Sequence, residues 1–250
     1  MSMVTPSRRE RLRAATVDEI MVVARRLLVA DGPAAISLRA IAREMGMTAP
    51  ALYRYFPSLE ELVQTLCATL YDELSDHLEH ARDACPADDI TARLYALCRE
   101  FRRWSVAHPA EFGLMFGSPL PGLANPVDPV EKRNPDSPTH VAGARLAGVF
   151  GALFAEVWAR APFEVPPAEE IPPALRTQLD GYVRELGVGL PVGAIQLFLS
   201  CWIRLYGMVA LEVFGHLYFA LTDPEPMFEA ELAVAACQIG LAPRPLPPAA

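Results

Sequence analysis

Residues 43–56 read REMGMTAPALYRYF. A glycine closes one run, a threonine and a proline open another, and that second run carries two tyrosines and an arginine. Ser37 suits an N-cap for the first run, in which Leu38, Ile41, Ala42 and Met45 share one face. Gly46 fits the left-handed position that ends such a helix. Thr48 suits the next N-cap, and Pro50 falls in the first turn, where its missing N–H costs nothing. Two short helices, 37–45 and 48–56, joined by a tight glycine turn are the outline of a helix-turn-helix.

Helical geometry decides what the second helix could touch. With Leu52 at zero and about 100° per residue, Phe56 lies beside it, so these two face inward. Pro50 and Arg54 fall on the opposite side, flanked by Ala51 and Tyr53, and no acid joins them. Arg39 and Arg43 of the preceding helix also point away from the core face. Such a surface suits a DNA major groove. Arg54 can pair bidentately with guanine, and Pro50 or Ala51 can meet a thymine methyl. The hydroxyls of Tyr53, Tyr55 and Thr48, with the backbone N–H groups of the helix start, can hold phosphates. Geometry alone leaves a plainer reading open, in which the tyrosines only pack and the arginines only solvate a surface.

The charge distribution favours the first reading. The 250 residues carry a formal net charge of −8, which by itself argues against a polyanionic partner. Residues 1–57, however, hold nine arginines against five acids, leaving −12 for the rest. A basic head on an acidic body points to two different partners at the two ends. Apolar residues make up 52% of the chain, so a sizeable core is expected and disorder is not.

The remainder reads as helices separated by proline breaks. Residues 8–30 repeat apolar positions at three- and four-residue steps, until Asp31-Gly32-Pro33 stops them. Pro57-Ser58 closes the reading helix and opens a long one, 58–83. Helix is expected again over 89–116, with His108-Pro109 marking a break. Residues 118–140 hold six prolines and read as a long loop. Further helices are expected over 141–161, 176–186, 190–221 and 224–239. No period-two alternation appears, so the fold class is all-α. The expected domains are a helix-turn-helix head, 8–57, a connecting helix, 58–83, and a larger helical body, 84–243.

Residues 36–66, ISLRAIAREMGMTAPALYRYFPSLEELVQTL, resemble the DNA-binding signature of the TetR family of transcriptional regulators. Ser37-Leu38-Arg39, Ile41-Ala42, Gly46-Met47-Thr48 and Leu52-Tyr53-Arg54-Tyr55-Phe56 stand in the family's order. The resemblance implies DNA contacts from Ser37, Arg39, Thr48, Ala49, Pro50, Tyr53, Arg54 and Tyr55. One position departs. The family often carries a lysine or arginine three residues after the phenylalanine to hold a phosphate, and here Leu59 stands there.

Residues 201–216, CWIRLYGMVALEVFGH, resemble a subgroup of TetR-like C-terminal domains marked by Trp-x-x-x-His-Gly followed by leucine and glutamate. Trp202, Gly207, Leu211 and Glu212 match, while Tyr206 replaces the histidine. The family uses such helices to line a ligand cavity and to dimerise. Candidates for the lining are Phe101, Trp104, Phe150, Phe154, Trp158, Trp202 and Tyr206, which would suit a hydrophobic or planar effector. Ordinary core packing is the alternative for each of them. Arg204 and Glu156 are candidates to orient a polar end of that ligand. Residues 190–221 are apolar nearly all round and, with the last helix, suit a four-helix homodimer interface. The residues expected there are Met208, Leu211, Gly215, Phe219, Ala230, Ala233, Val234 and Cys237. Gly207 and Gly215 would let helices approach closely.

Other classes find less support. No phosphate loop, nucleophile elbow or H-E-x-x-H is present, so no catalytic role is expected. His77 and His80 share a helix face, but exposed helix polarity accounts for them, and neither a metal nor a cofactor is expected. The five scattered cysteines read as reduced thiols. The amino terminus carries no apolar signal core, and Gln196, Arg204, Glu212 and His216 interrupt the strongest apolar run, so a cytoplasmic protein is expected. The resulting reading is a DNA-binding regulator, by the family's commoner mode a repressor, released from a palindromic operator by a small hydrophobic or aromatic effector. Residues 58–83 are the expected lever. The alternative is a helical small-molecule-binding or adaptor protein that has lost DNA.

Overall fold

The computed structural model describes residues 7–117, 134–186 and 189–245. Ten α-helices follow in order: α1 Arg8–Asp31, α2 Leu38–Glu44, α3 Ala49–Leu52, α4 Leu59–Asp83, α5 Ile90–Ala107, α6 Pro109–Phe116, α7 Pro138–Arg160, α8 Pro173–Leu186, α9 Val192–Val213 and α10 Glu225–Gln238. A 3-10 turn, Pro33–Ala35, lies between α1 and α2. No strand occurs among the described residues, and the all-α expectation holds. The expected proline-rich loop lies largely outside the described residues, which resume at Asn134. There Ser137 accepts from the His140 N–H, and α7 starts at Pro138.

Contacts divide the chain into two units. The first comprises residues 1–73 and 108–144, the second residues 74–107 and 145–250. In the first unit α1 buries Ile20, Ala24, Leu27 and Leu28, and α2 buries Leu38 and Ile41. Helix α6 is fastened to α4 by the Tyr71 hydroxyl, which donates to the Met115 carbonyl at 3.1 Å, and by an edge-on contact between the Tyr71 and Phe116 rings. Thr139 Oγ1 donates to the Gln64 carbonyl at 2.9 Å and ties the start of α7 to α4.

The second unit packs α8 and α10 against α9, which also contacts α5. Phe154, Val157, Ala194 and Ile239 form one buried cluster, and Ile171, Leu179 and Ile195 another. Arginines on α5 bind carboxylates on three other helices: Arg93 to Glu156 of α7, Arg99 to Glu229 of α10 and Arg102 to Glu212 of α9. Glu212 is buried and held by two Arg102 hydrogen bonds of 2.7 Å. Such bidentate geometry is what makes a buried carboxylate tolerable.

One expected boundary holds and one moves. The break at His108 is present, between α5 and α6. Helix α9, expected to reach residue 221, ends at Val213. Gly215 adopts φ +73, its N–H bonds the Glu212 carbonyl, and the His216 N–H bonds the Leu211 carbonyl at 2.7 Å. This is a Schellman-type ending that a residue with a Cβ would strain. Gly215 therefore terminates a helix, and Phe219 lies beyond that helix.

Candidate nucleic-acid interface

The reading segment is built from the turn outward. Ser37 caps α2, its Oγ accepting from the Ala40 N–H at 3.1 Å. Gly46 ends α2 with φ +64, as its position in the sequence implies. Thr48 takes the N-cap of α3, where its carbonyl accepts from the Ala51 and Leu52 N–H groups, but its hydroxyl makes no capping bond. The expected side-chain cap is therefore missing. Thr48 itself is exposed.

Only residues 49–52 are α-helical. Arg54 and Tyr55 continue with bonds to the carbonyls three residues back, so the segment tightens over its last turn. The inward and outward faces are nonetheless as read. Leu52 and Phe56 are buried, while Pro50 and Arg54 are exposed and Tyr53 is 49% exposed. Ala49, Ala51 and Tyr55 are half-buried. Arg39 and Arg43 are exposed on α2. Glu44, the acid of α2, is taken up by Arg26 at 2.6 Å, and that ion pair holds its carboxyl below the usual range. Arg39 and Arg54 make no ion pair among the described residues, so their charge faces outward uncompensated.

One contributor comes from outside this motif. Arg13 of α1 lies 5.1 Å from the centre of the Tyr55 ring, and its Nη1 donates to the Arg54 carbonyl at 3.3 Å. Sequence reasoning gave Arg13 no role. Its sole signal was the arginine-rich composition of the first residues.

In the second unit the aromatic residues meet in two groups. Phe101, Phe150 and Trp202 lie with ring centres 5.4–5.9 Å apart, and Tyr206 stacks on Trp202. Phe154 and Trp158 group instead with Phe163 and Phe198, which the sequence did not single out. Phe198 stands four residues before Trp202 on α9, a spacing that could have found it. Trp104 is buried. The two charged residues expected to orient a ligand are instead taken up by ion pairs, Arg204 with Glu231, and Glu156 with Arg93 and Arg160.

The residues expected at a dimer face divide by exposure. Leu211 of α9 and Ala230, Val234 and Cys237 of α10 are exposed, as is Phe219 beyond α9. Met208, Gly215 and Ala233 are half-buried.

Residues 20–66 match the family model for bacterial regulatory proteins of the tetR family, and residues 94–235 match a Tetracyclin repressor-like C-terminal domain. The chain belongs to the TetR family. HTH-type transcriptional regulator Rv1816 of Mycobacterium tuberculosis is 34% identical to it over 216 residues, covering 85% of this chain and 87% of that protein. The crystal structure of regulatory protein SCO4313 is similar with a TM-score of 0.69 at 31% identity, over 92% of this chain and 98% of its own. A protein from Rhodococcus sp. RHA1 shares the fold, with a TM-score of 0.63 at 22% identity over 90% and 95% of the two chains. As a TetR-family protein, this chain is a DNA-binding transcriptional regulator.

Proposed function

We propose that this TetR-family regulator is a repressor that binds a palindromic operator as a homodimer and leaves it when a small hydrophobic or aromatic effector binds. The observation that carries the DNA half is the face of α2 and α3. Arg39, Tyr53 and Arg54 are exposed above a closed core of Leu52 and Phe56, and among the described residues no carboxylate lies between them. Direct readout falls to Arg54 and to Pro50 or Ala51, with Ala49 beside them. Ser37, Arg39, Thr48, Tyr53 and Tyr55 hold the backbone.

Two heads are needed because one offers few base contacts. A dimer would supply a second head for the neighbouring half-site, about 34 Å away. Support for a dimer comes from α9, a helix apolar enough to cross a membrane by length and composition, of whose most apolar 18-residue window only 17% is buried. Ile203 is 68% exposed on it, and Leu211 and Val234 are exposed nearby. A second copy would cover such a face at lower cost than water. A cytoplasmic location follows from the DNA partner.

The aromatic groups around Trp202 and Phe154 are the effector's expected seat, and α4 the segment expected to carry the coupling. The test is fluorescence anisotropy against DNA flanking the protein's own gene, with scrambled competitor. Competitor-resistant binding that collapses in Arg54→Ala supports the reading. Equal binding to scrambled DNA, unaffected by Arg54→Ala, would favour an adaptor that has lost DNA.

A further inference from the structure

Helix α1 begins with a complete capping box. Ser7 Oγ accepts from the Glu10 N–H at 3.2 Å, and Glu10 Oε2 accepts from the Ser7 N–H at 2.6 Å. The box fixes where the helix starts and folds the Glu10 carboxylate back onto its own cap. The buried face of α1 begins only at Ile20, so its first three turns are exposed overhang. At about 100° per residue, Arg9, Arg13 and Thr16 lie in the same sector as Ile20, Ala24 and Leu27. The stripe that is apolar within the core thus becomes cationic where the helix leaves it.

That cationic stripe faces the end of the reading segment. A groove of ≈ 660 Å³ separates Arg8, Arg9, Leu12 and Arg13 from Arg54 and Tyr55, and among the described residues no carboxylate lines it. Arg13 spans it, through its contacts with the Arg54 carbonyl and the Tyr55 ring. Arg8, Arg9 and Arg54 make no side-chain hydrogen bond or ion pair among the described residues. Four guanidinium groups repel one another, and two of them also sit at the positive end of the α1 dipole. Among the described residues of the free protein, only Arg13 of these four has partners for its guanidinium. A polyanion would relieve the repulsion.

We propose that this groove seats a phosphate of the DNA backbone, which makes the amino-terminal turns of α1 part of the DNA-binding surface and Arg13 the residue that positions Arg54 and Tyr55. The inference rests on the reading of α2 and α3 as the DNA interface. The amino-terminal family model begins at residue 20, so Arg8, Arg9 and Arg13 lie outside it. The cluster supplies the phosphate anchor that Leu59 cannot. Guanidinium groups suit this task because their planar donor fork matches phosphate oxygens. Contacts of this kind set affinity and salt dependence but carry no sequence preference.

The test uses the full chain and two duplexes of equal length, one enriched by the wild-type protein from a random-sequence pool and one random. Affinity is measured for both as KCl rises. Each lost phosphate contact removes roughly 0.9 from the slope of log affinity against log salt, so Arg8→Gln/Arg9→Gln, by releasing the seated phosphate, should flatten it by roughly 0.9 per head on both duplexes. The ratio of enriched to random affinity should stay as in wild type. Arg13→Lys keeps the charge but loses the fork and the ring contact, so the slope should hold while the ratio falls several-fold. A wild-type slope in Arg8→Gln/Arg9→Gln overturns the groove, and a wild-type ratio in Arg13→Lys overturns the positioning role. Should no duplex be enriched, the operator reading fails, and the slope on random DNA still decides the groove. Arg8 and Arg9 are exposed, so an unchanged thermal midpoint excludes misfolding as the cause.

Discussion

Arg25 Nε donates to Glu111 Oε1 at 2.9 Å, and the Glu111 side chain is only 4% exposed. The same guanidinium donates to both carboxylate oxygens of Glu73, at 2.5 and 3.1 Å. One side chain of α1 thus fastens α4 and α6 within the first unit. Arg25→Met would leave the Glu111 carboxylate buried without its cation. Breaking a buried pair from one side costs about 3 kcal/mol, which for a chain this size lowers the thermal midpoint by roughly 6–12 °C. The double variant Arg25→Met/Glu111→Leu should recover most of that loss. Calorimetry of the three proteins decides it. An Arg25→Met midpoint within a degree of wild type would mean the carboxylate is not stranded.

Gly46 offers a smaller and cleaner test. Its φ of +64 lies in the left-handed region, and a Cβ built there would meet nothing within 4 Å. The cost of Gly46→Ala is therefore the backbone alone, about 1–2 kcal/mol, and Gly46→Asn should cost less because asparagine tolerates this conformation better. Urea unfolding with an unchanged slope would confirm it. Equal costs for the two variants would point away from the backbone conformation as the cause.

Of these two sites only Gly46 was legible in the sequence. Ser37, Gly46, Leu52 and Phe56 could be read because caps, left-handed turns and helical faces are local, fixed by residues within four positions of one another. The end of α9 was hidden for a related reason. Apolar residues continue through Leu217, Tyr218 and Phe219, and a glycine in an apolar run reads as close packing until its φ is known. The contacts of Arg13 with Arg54, of Glu156 with Arg93 and of Arg204 with Glu231 were not legible because the partners are 41, 63 and 27 residues away. The Glu156–Arg160 pair, by contrast, has an ordinary four-residue helical spacing. The distant pairings depend on tertiary structure, and no spacing rule announces them.

The cysteines separate by burial. Burial pushes the Cys67 and Cys98 thiols up to about 12 and Cys201 up to about 11, whereas Cys237 is exposed and Cys85 half-buried. Only the thiolate reacts, so at mild alkaline pH Cys237 should label first, Cys85 next, and Cys67 and Cys98 only on unfolding. If α9 and α10 form the proposed dimer face, the Cys237 rate should also fall as protein concentration rises. Stopped-flow labelling with a chromogenic disulfide checks both points. A fast phase that survives Cys237→Ser would contradict the first, and a concentration-independent rate the second.

Glu156 makes the acid limb of stability predictable. Arg93 Nη1 donates to both of its oxygens, at 2.9 and 2.8 Å, and Arg160 Nη2 to one, at 2.6 Å. Burial pushes this carboxyl up, but the bonds and charges of Arg93 and Arg160 outweigh it and hold it below the ordinary 4.5. A carboxylate lowered in the folded state binds its proton more readily when unfolded. Its stabilisation is therefore complete above the ordinary value and is lost as pH falls through the lower folded one. Glu156→Gln removes that linkage. The stability difference between wild type and Glu156→Gln should be flat from about pH 8 to 5 and shrink below about pH 4.5. Asp83 and Asp89, also held low by arginine partners, are present in both proteins, so their main contributions drop out of the difference. Urea midpoints of the two proteins across this range give the answer. A difference that stays constant as the acid limb is crossed would show that the Arg93 and Arg160 contacts do not hold the carboxylate in solution.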